Sequence, residues 1–406
     1  MNRRSFLVAG AALLGAPACA QPVVSREAFD AWVAAAEASA TLNGVSEASI
    51  KAARVGLAMN PGLIRPAGAQ PESKRVGTYV KSLIGGDGPI ALKKLAQFPR
   101  IRDIQTQLGV PASVLVAFWG RESGYGRDFG SLDVFSTLAS LGAAQRGATD
   151  WTAEYVAALT ILDRRVRPRA QLTGSAAGAL GHTQLMPSSY LTYGMDFDGD
   201  GRADVWSPSP LDALASAARH IQDVPAADGP VPPLGKAWKR GQGWIEPARL
   251  PLGFDLTKVE VEETKLTLGE WAALGLRPTG GLAASDLGLS ASLALPAGVN
   301  GPALLLLPNY DVFERYNPSR TYALGVGLLA RHIEGRAPVA WPDETPLTLD
   351  DRQAAQRGLT ALGFYSGPID GDLGRGSRKA VRAWQKSVGR PADGYLTSDA
   401  VTLLRR

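Results

Sequence analysis

The stretch FWGRESGYGRDFG, Phe118 to Gly130, holds one glutamate where an apolar run gives way to a glycine-rich turn. On a helix, Leu115, Phe118 and Trp119 share a face, and Glu122 falls on that same face one and two turns further on. A carboxyl set against two aromatic rings is held away from water, which disfavours its charged form and leaves it a proton to give near neutral pH. That is the chemistry of a general acid. The same residue can equally be a helix-end glutamate that turns to solvent or pairs with Arg121 or Arg127, and helical spacing by itself does not choose. A second acidic pattern, DFDGDGRAD, sets Asp196, Asp198 and Asp200 at alternate positions with Gly201 after them, as an EF-hand loop would. Alternating carboxylates can converge on one hard cation while the glycine permits the sharp turn. The place of the closing bidentate glutamate is taken by Ser207, however, and acidic turns that bind nothing are common.

A chain of 406 residues can bury a full core and room remains for a second folded unit. Its composition is that of a soluble globular protein. The net charge is +5, yet lysine and arginine are scattered with no basic stripe and no base-stacking motif, so no nucleic-acid partner is expected. A polyanionic wall or a membrane surface suits that charge equally well. The single cysteine, Cys19, excludes a disulfide framework within the chain. It lies in MNRRSFLVAGAALLGAPACAQ, which has the charged start, short apolar middle and small-residue cleavage site of an export signal. Arg3 and Arg4 followed by Ser5-Phe6-Leu7 resemble the twin-arginine type. Residues 1–20 are therefore expected to be an export signal and the protein periplasmic. The apolar run is too short to span a bilayer. A membrane contact is expected only if Cys19 is lipidated, and Ala16-Pro17-Ala18 lacks the large aliphatic residue usual three places before such a cysteine.

The elements that must position Glu122 are mostly helical. REAFDAWVAAAEASA, PASVLVAFWGRES and DWTAEYVAALTILDRR repeat apolar residues at three- and four-residue spacing, and a further helix is expected from Asp212 to about Ile221. Lys258 to Leu307 change character: KVEVEETKLTL alternates, ASLALPAG and GPALLLLP read as short strands, and LGEWAALGL as a helix between them. This predicts a small β-containing insert. Helical pattern returns in SRTYALGVGLLARHIEG, and a Pro-rich stretch from Ala337 to Leu349 has the composition of a linker. Beyond it IDGDLGRGSRKAV is echoed by ADGYLTSDAV, an internal duplication of turn and helix. Leu359, Leu362, Phe364, Val381 and Trp384 are its expected core. No catalytic group is evident in it, so a binding module is the default.

Five ordered motifs, WGRESGYGRDFG, GSAAGALGHTQLMPSSY, DFDGDGRADVW, WKRGQGWIEPARLP and NYDVFERYNPSRTYALGV, resemble the lytic murein transglycosylase B family over roughly Arg26 to Arg336. Separately, LGFYSGPIDGDLG and AVRAWQ make Asp351 to Arg406 resemble the short peptidoglycan-binding repeat domain. The resemblance implies a mainly α (α+β) chain: a lysozyme-like catalytic domain over 21–336 with the β-containing insert, a linker over 337–350, and a small helical binding domain over 351–406. It implies cleavage of the MurNAc-GlcNAc bond of peptidoglycan glycan strands without water, with Glu122 as acid and then base and no second carboxylate as nucleophile. It places Ser175, Gln184, Tyr316 and Tyr322 in the substrate cleft. The small residues around Ser175 can also simply permit tight helix packing, and a buried tyrosine is more often core. Tyr79 matches a further cleft tyrosine on poor flanks, His182 is given no role, and His220 stands where the family often has tyrosine. The family's variant of the acidic loop implies closure by Asp212, with the Arg202 carbonyl as another ligand to calcium. Such an ion would be structural, since the chemistry needs no cofactor. A monomer is expected. A hydrolytic muramidase and a non-catalytic wall-binding protein are the alternative readings.

Overall fold

The helix Ala112–Ser123 runs through the middle of the molecule, every residue from Ala112 to Trp119 buried. A helix apolar on all sides must be surrounded, and this one is. It enters from Pro111, which pre-sets the chain before the first turn, and stops at Gly124, whose left-handed conformation (φ 57°) ends the helix. Around it pack Val76–Gln97, Ile101–Leu108, Leu211–Asp223, Tyr310–Tyr316 and Arg320–Ile333, joined in one apolar core. A second core gathers Arg26–Leu42, Val134–Ala143, Trp151–Asp163 and Pro187–Tyr193. This computed structural model describes residues 24–63, 75–145, 149–223, 237–317 and 319–406. The stretch expected to be an export signal, with Cys19, lies outside them. No helix among the described residues is long and apolar enough to cross a membrane.

The insert is a five-stranded antiparallel sheet in the order Lys265–Thr267, Ser290–Ala294, Ala303–Leu306, Ile245–Arg249, Arg277–Pro278. Trp271, on the short helix Leu268–Ala273, fills its core and donates its indole N–H to the Ala291 carbonyl at 3.0 Å. The sheet starts earlier than expected, at Ile245, and the alternating KVEVEET is not strand. Thr264 N bonds the Glu260 carbonyl at 2.8 Å and Glu260 N bonds Thr264 Oγ1 at 2.7 Å, closing a turn. Val259 and Val261 are buried as alternation requires, but they reach the core from an irregular segment.

The C-terminal module is three helices, Leu349–Ala361, Arg375–Ser387 and Ser398–Leu404. Its duplication has a physical basis in two buried glutamines. Gln356 accepts from Gly371 N at 2.7 Å and donates to Asp370 Oδ1 at 3.0 Å and the Asp372 carbonyl at 2.9 Å. Gln385 accepts from Gly394 N at 2.8 Å and donates to Asp393 Oδ1 at 2.8 Å and the Tyr395 carbonyl at 3.2 Å. Each Asp-Gly turn is thus clamped onto a helix by one amide. Leu359, Val381 and Trp384 form the core with Phe364 against it, but Leu362 does not: it is 57% exposed, because it follows the last residue of its helix and the chain turns away there. Replacing Gln356 by alanine strands the buried Gly371 N–H. Melting curves of the full chain are expected to show a loss of about 1–3 kcal/mol for Gln356→Ala, and Gln385→Ala should match it.

Candidate active site

Glu122 sits in the last turn of the central helix, with Phe118 and Trp119 buried beside it. The Phe118 ring lies 4.6 Å from that of Tyr316 and 6.2 Å from that of Tyr322, centroid to centroid. Tyr322 donates its hydroxyl to Glu122 Oε1. Burial pushes the carboxyl pKa up to about 7, against the opposing pull of the Tyr322 hydrogen bond and the Arg121 charge. Pairing with the nearby arginines is not realised. Arg121 reaches Asp87 at 3.5 Å and lies over the Tyr79 ring at 5.6 Å, while Arg127 donates to the Gly124 carbonyl at 2.8 Å. Nor do the neighbouring acids come forward as partners: Asp128 accepts from Gly130 N at 2.9 Å, and Asp133 caps Val134–Ala143 and pairs with Arg169.

The stretch from Ser175 to Gln184 forms a strap beside this helix. The Ser175 hydroxyl accepts from Ala177 N at 3.3 Å and Ala179 N at 3.2 Å, so it closes its own turn. Gln184 sits at a φ of 50°, uncommon for a side chain with a Cβ, with Nε2 on the Gly181 carbonyl at 2.9 Å and the Phe129 carbonyl at 3.3 Å. Tyr316 donates to the Thr183 carbonyl at 2.9 Å. Of the four expected cleft residues, then, Tyr322 touches Glu122 directly and Tyr316 shares its aromatic floor, while Ser175 and Gln184 belong to the strap.

His182 is the residue that sequence reasoning missed. The Trp119 indole N–H donates to its Nδ1 at 2.9 Å, leaving Nε2 to carry the proton and donate to the Ser207 carbonyl at 2.7 Å. Burial holds its pKa below the usual histidine range, so it is neutral. Ser123 adds a tie by donating to the His182 carbonyl at 2.6 Å. The available signal was Trp119 itself, since a buried indole needs an acceptor. Tyr79 approaches the Tyr322 helix at Gly325, where a Cβ would stand 2.4 Å from its ring. His220 stacks on Tyr193 at 4.9 Å and meets Tyr316 at 5.3 Å, with burial pushing its pKa down to about 4.

In the acidic loop, carboxylate oxygens of Asp196, Asp198, Asp200 and Asp212 lie within 4.8 Å of one another. Asp212 accepts from Phe197 N at 2.8 Å, Asp198 N at 3.2 Å and Asp204 N at 3.0 Å, so it shapes the loop as well as facing it. Asp200 Oδ1 accepts from Arg202 N at 2.9 Å, which draws Arg202 into the turn. Four converging carboxylates repel unless a cation joins them, and the donor set suits a hard divalent ion.

One half-buried acid bonded by a tyrosine at the end of the central helix, on a lysozyme-like helical body, defines the class of the protein. The chain belongs to the Transglycosylase SLT domain family, whose model matches residues 28–331. The peptidoglycan binding domain family matches residues 348–404. Among particular proteins, it is 38% identical to SltB3 from Pseudomonas aeruginosa, solved in complex with NAG-anhNAM-pentapeptide. That alignment covers 93% of this chain and 99% of SltB3 with a TM-score of 0.80. It is similar, at 25% identity and a TM-score of 0.60 over 76% of this chain and 92% of the other, to Escherichia coli lytic transglycosylase SLT35 in complex with calcium. Membrane-bound lytic murein transglycosylase B from Escherichia coli (strain K12) is 30% identical over 231 residues, which is 55% of this chain and 57% of that relative's length.

The elevated pKa has consequences for stability. Folded Glu122 titrates near 7 and the unfolded side chain near 4.5, so between those values the native state holds the extra proton and stability falls as pH rises. Glu122→Gln removes that loss. Its advantage over wild type in denaturant unfolding is expected to widen by about 3 kcal/mol between pH ~4.5 and pH ~8. Tyr322→Phe removes a donor that favours the ionised form, so the carboxyl midpoint followed by NMR should move up; a downward move would contradict the assignment.

Proposed function

We propose that the chain is an exported lytic transglycosylase that cuts the MurNAc-GlcNAc β-1,4 bond of peptidoglycan glycan strands. Glu122 gives its proton to the glycosidic oxygen as the bond from MurNAc C1 breaks, and the N-acetyl group of that sugar stabilises the cationic carbon. The carboxylate then takes the proton of the sugar's C6 hydroxyl while O6 bonds C1, closing a 1,6-anhydro ring with no water consumed. The observation that carries this reading is the single carboxyl, half-buried beside Phe118 and bonded by Tyr322, with a pKa pushed up to about 7. Such a group is an acid before the first step and a competent base after it. Because Asp128 and Asp133 are engaged elsewhere, the paired-carboxylate scheme of most glycosidases finds no second member in either of them.

Tyr322 steadies the carboxylate between the two steps. Tyr316 offers an apolar ring, and Ser175 and Gln184 line the strap against which the glycan lies. The anhydro-sugar ligand of SltB3 is the product type this mechanism requires. Asp196, Asp198, Asp200, Asp212 and the Arg202 carbonyl are the ligands of a structural calcium ion, which supplies charge neutralisation and no catalytic step. The calcium complex of SLT35 supports that choice of ion. Residues 21–336 form the catalytic body and 351–406 a module that binds the same polymer and raises its local concentration. The signal over 1–20 directs the protein to the periplasm.

Digestion of purified sacculi is expected to release products lacking the mass of one water relative to hydrolysis products, by mass spectrometry. Hydrated ends instead would make the protein a hydrolytic muramidase. Glu122→Gln should lose about 10²–10⁴-fold in turnover with wall binding intact. Turnover at the wild-type rate would remove Glu122 from the mechanism. Isothermal titration should detect calcium binding that Asp212→Asn weakens.

A further inference from the structure

A binding module on a Pro-rich linker needs no fixed seat in order to tether an enzyme. Here the module has one. Glu262, on the insert, sits in the left-handed region at φ 70° with its side chain only 13% exposed. Its carboxylate faces three guanidinium groups: Arg320, Arg378 Nε at 3.2 Å and Arg382 Nη1 at 3.8 Å. Burial opposes its charge, but those arginines prevail and hold the carboxyl below its usual range. The neighbouring Glu263 takes Arg375 at 2.7 Å and Arg382 Nη2 at 3.8 Å. Arg375, Arg378 and Arg382 belong to the module, whereas Arg320 is the first residue of the catalytic-body helix Arg320–Ile333. A strained, buried acid joining cations from two domains is costly to build, and such outliers persist where the surroundings require them.

The position of Arg320 gives the seat its meaning. Two residues on, in the same first turn, Tyr322 bonds Glu122. Ser319 Oγ accepts from Tyr322 N at 3.2 Å, so that turn is fixed by its cap, by Glu262 and by Glu122 together. An independent contact repeats the pattern on the other side. Arg75 precedes Val76–Gln97, the helix that carries Tyr79, and donates Nη2 to the Leu396 carbonyl of the module at 3.0 Å while lying 4.6 Å from the Tyr395 ring. Tyr79 in turn packs on the Tyr322 helix at Gly325. The Tyr322 helix therefore begins at an arginine that shares Glu262 with Arg378 and Arg382 of the module, and the Tyr79 helix follows an arginine bonded to the module directly.

We propose that Glu262, Arg320 and Arg75 are positioning residues through which the docked C-terminal module aligns Tyr322 on Glu122, so that the module sets the rate of the bound complex and not only its formation. This rests on the reading of Glu122 as the acid.

The test separates kcat from KM in the full-length chain, using a soluble peptidoglycan tetrasaccharide at saturation, where tethering has no effect on rate. Arg378→Gln/Arg382→Gln, which touches only the module's side of the seat, is expected to lower kcat about five-fold or more with KM changed less than about two-fold. In the catalytic body, Arg320→Lys keeps a cation for Glu262 and should retain more of kcat than Arg320→Met. An unchanged kcat in the double variant, with weaker binding to sacculi alone, would overturn the proposal. Should that variant fail to fold by its melting curve, Arg75→Gln decides by the same readout. Wild-type protein with no turnover of the tetrasaccharide or of sacculi would instead remove the function on which the proposal rests.

Discussion

The molecule is organised around one energetic demand, that a carboxyl be kept out of water at the end of a helix. Removing Glu122 from solvent costs little while it is neutral and progressively more as it ionises, which is why its pKa rises to about 7. To impose that environment the helix before it must be covered on every side, and the core around Ala112–Ser123 does this. The Tyr322 hydroxyl tempers the penalty by offering the carboxylate one strong donor. A carboxyl that is merely buried would be reluctant to give up its proton; one that is also hydrogen-bonded by a single donor can take either form.

The surroundings of Glu122 are fixed by groups that do not bond it. Trp119, one turn before Glu122, uses its indole N–H to hold His182, and His182 holds Ser207. Because burial keeps the imidazole neutral, each nitrogen has one role, acceptor at Nδ1 and donor at Nε2. Protonation would turn the Trp119 contact into donor against donor. The strap from Ser175 to Gln184 is therefore held to the acid's own helix by a neutral histidine, and Tyr316 adds a second hold through the Thr183 carbonyl.

Much of this was legible in the sequence, and the illegible part has a common cause. The central helix announces itself by three- and four-residue spacing, and Glu122 by lying on its apolar face. The insert and the duplicated module follow from changes of period and composition, although the first module helix begins at Leu349, inside the stretch expected to be linker. Tyr316 and Tyr322 needed resemblance, because nothing local marks which of ten tyrosines meets an acid 200 residues away. His182 escaped because its partner Trp119 is remote in sequence. The alternation at Lys258 misled because the side chains of Val259 and Val261 are buried as in a strand while Glu260 closes a turn. Leu362 misled because helical spacing does not say where the helix ends. The seat at Glu262 was invisible for the same reason as His182: a cluster of charges from three parts of the chain leaves no local pattern.

The acidic loop, remote in sequence from Glu122, reaches that residue's surroundings by a short mechanical route. Asp212 fixes the loop through Asp204 N, and Asp204 Oδ1 accepts from Trp206 N at 2.9 Å. The next links are the two carbonyls that secure the strap: Val205 O accepts from His182 N at 3.0 Å and Ser207 O from His182 Nε2. Gly181 must be glycine at this crossing, since its φ is 65° and a Cβ would stand 2.2 Å from Val205 O. Asp212 also lies in the first turn of the helix Leu211–Asp223, whose His220 meets Tyr316. Order in the loop is thus transmitted twice, through His182 to the strap and through His220 to the aromatic floor. A cation held among those carboxylates would therefore act on the surroundings of Glu122 through the chain alone, by fixing the loop to which His182 and His220 are tied.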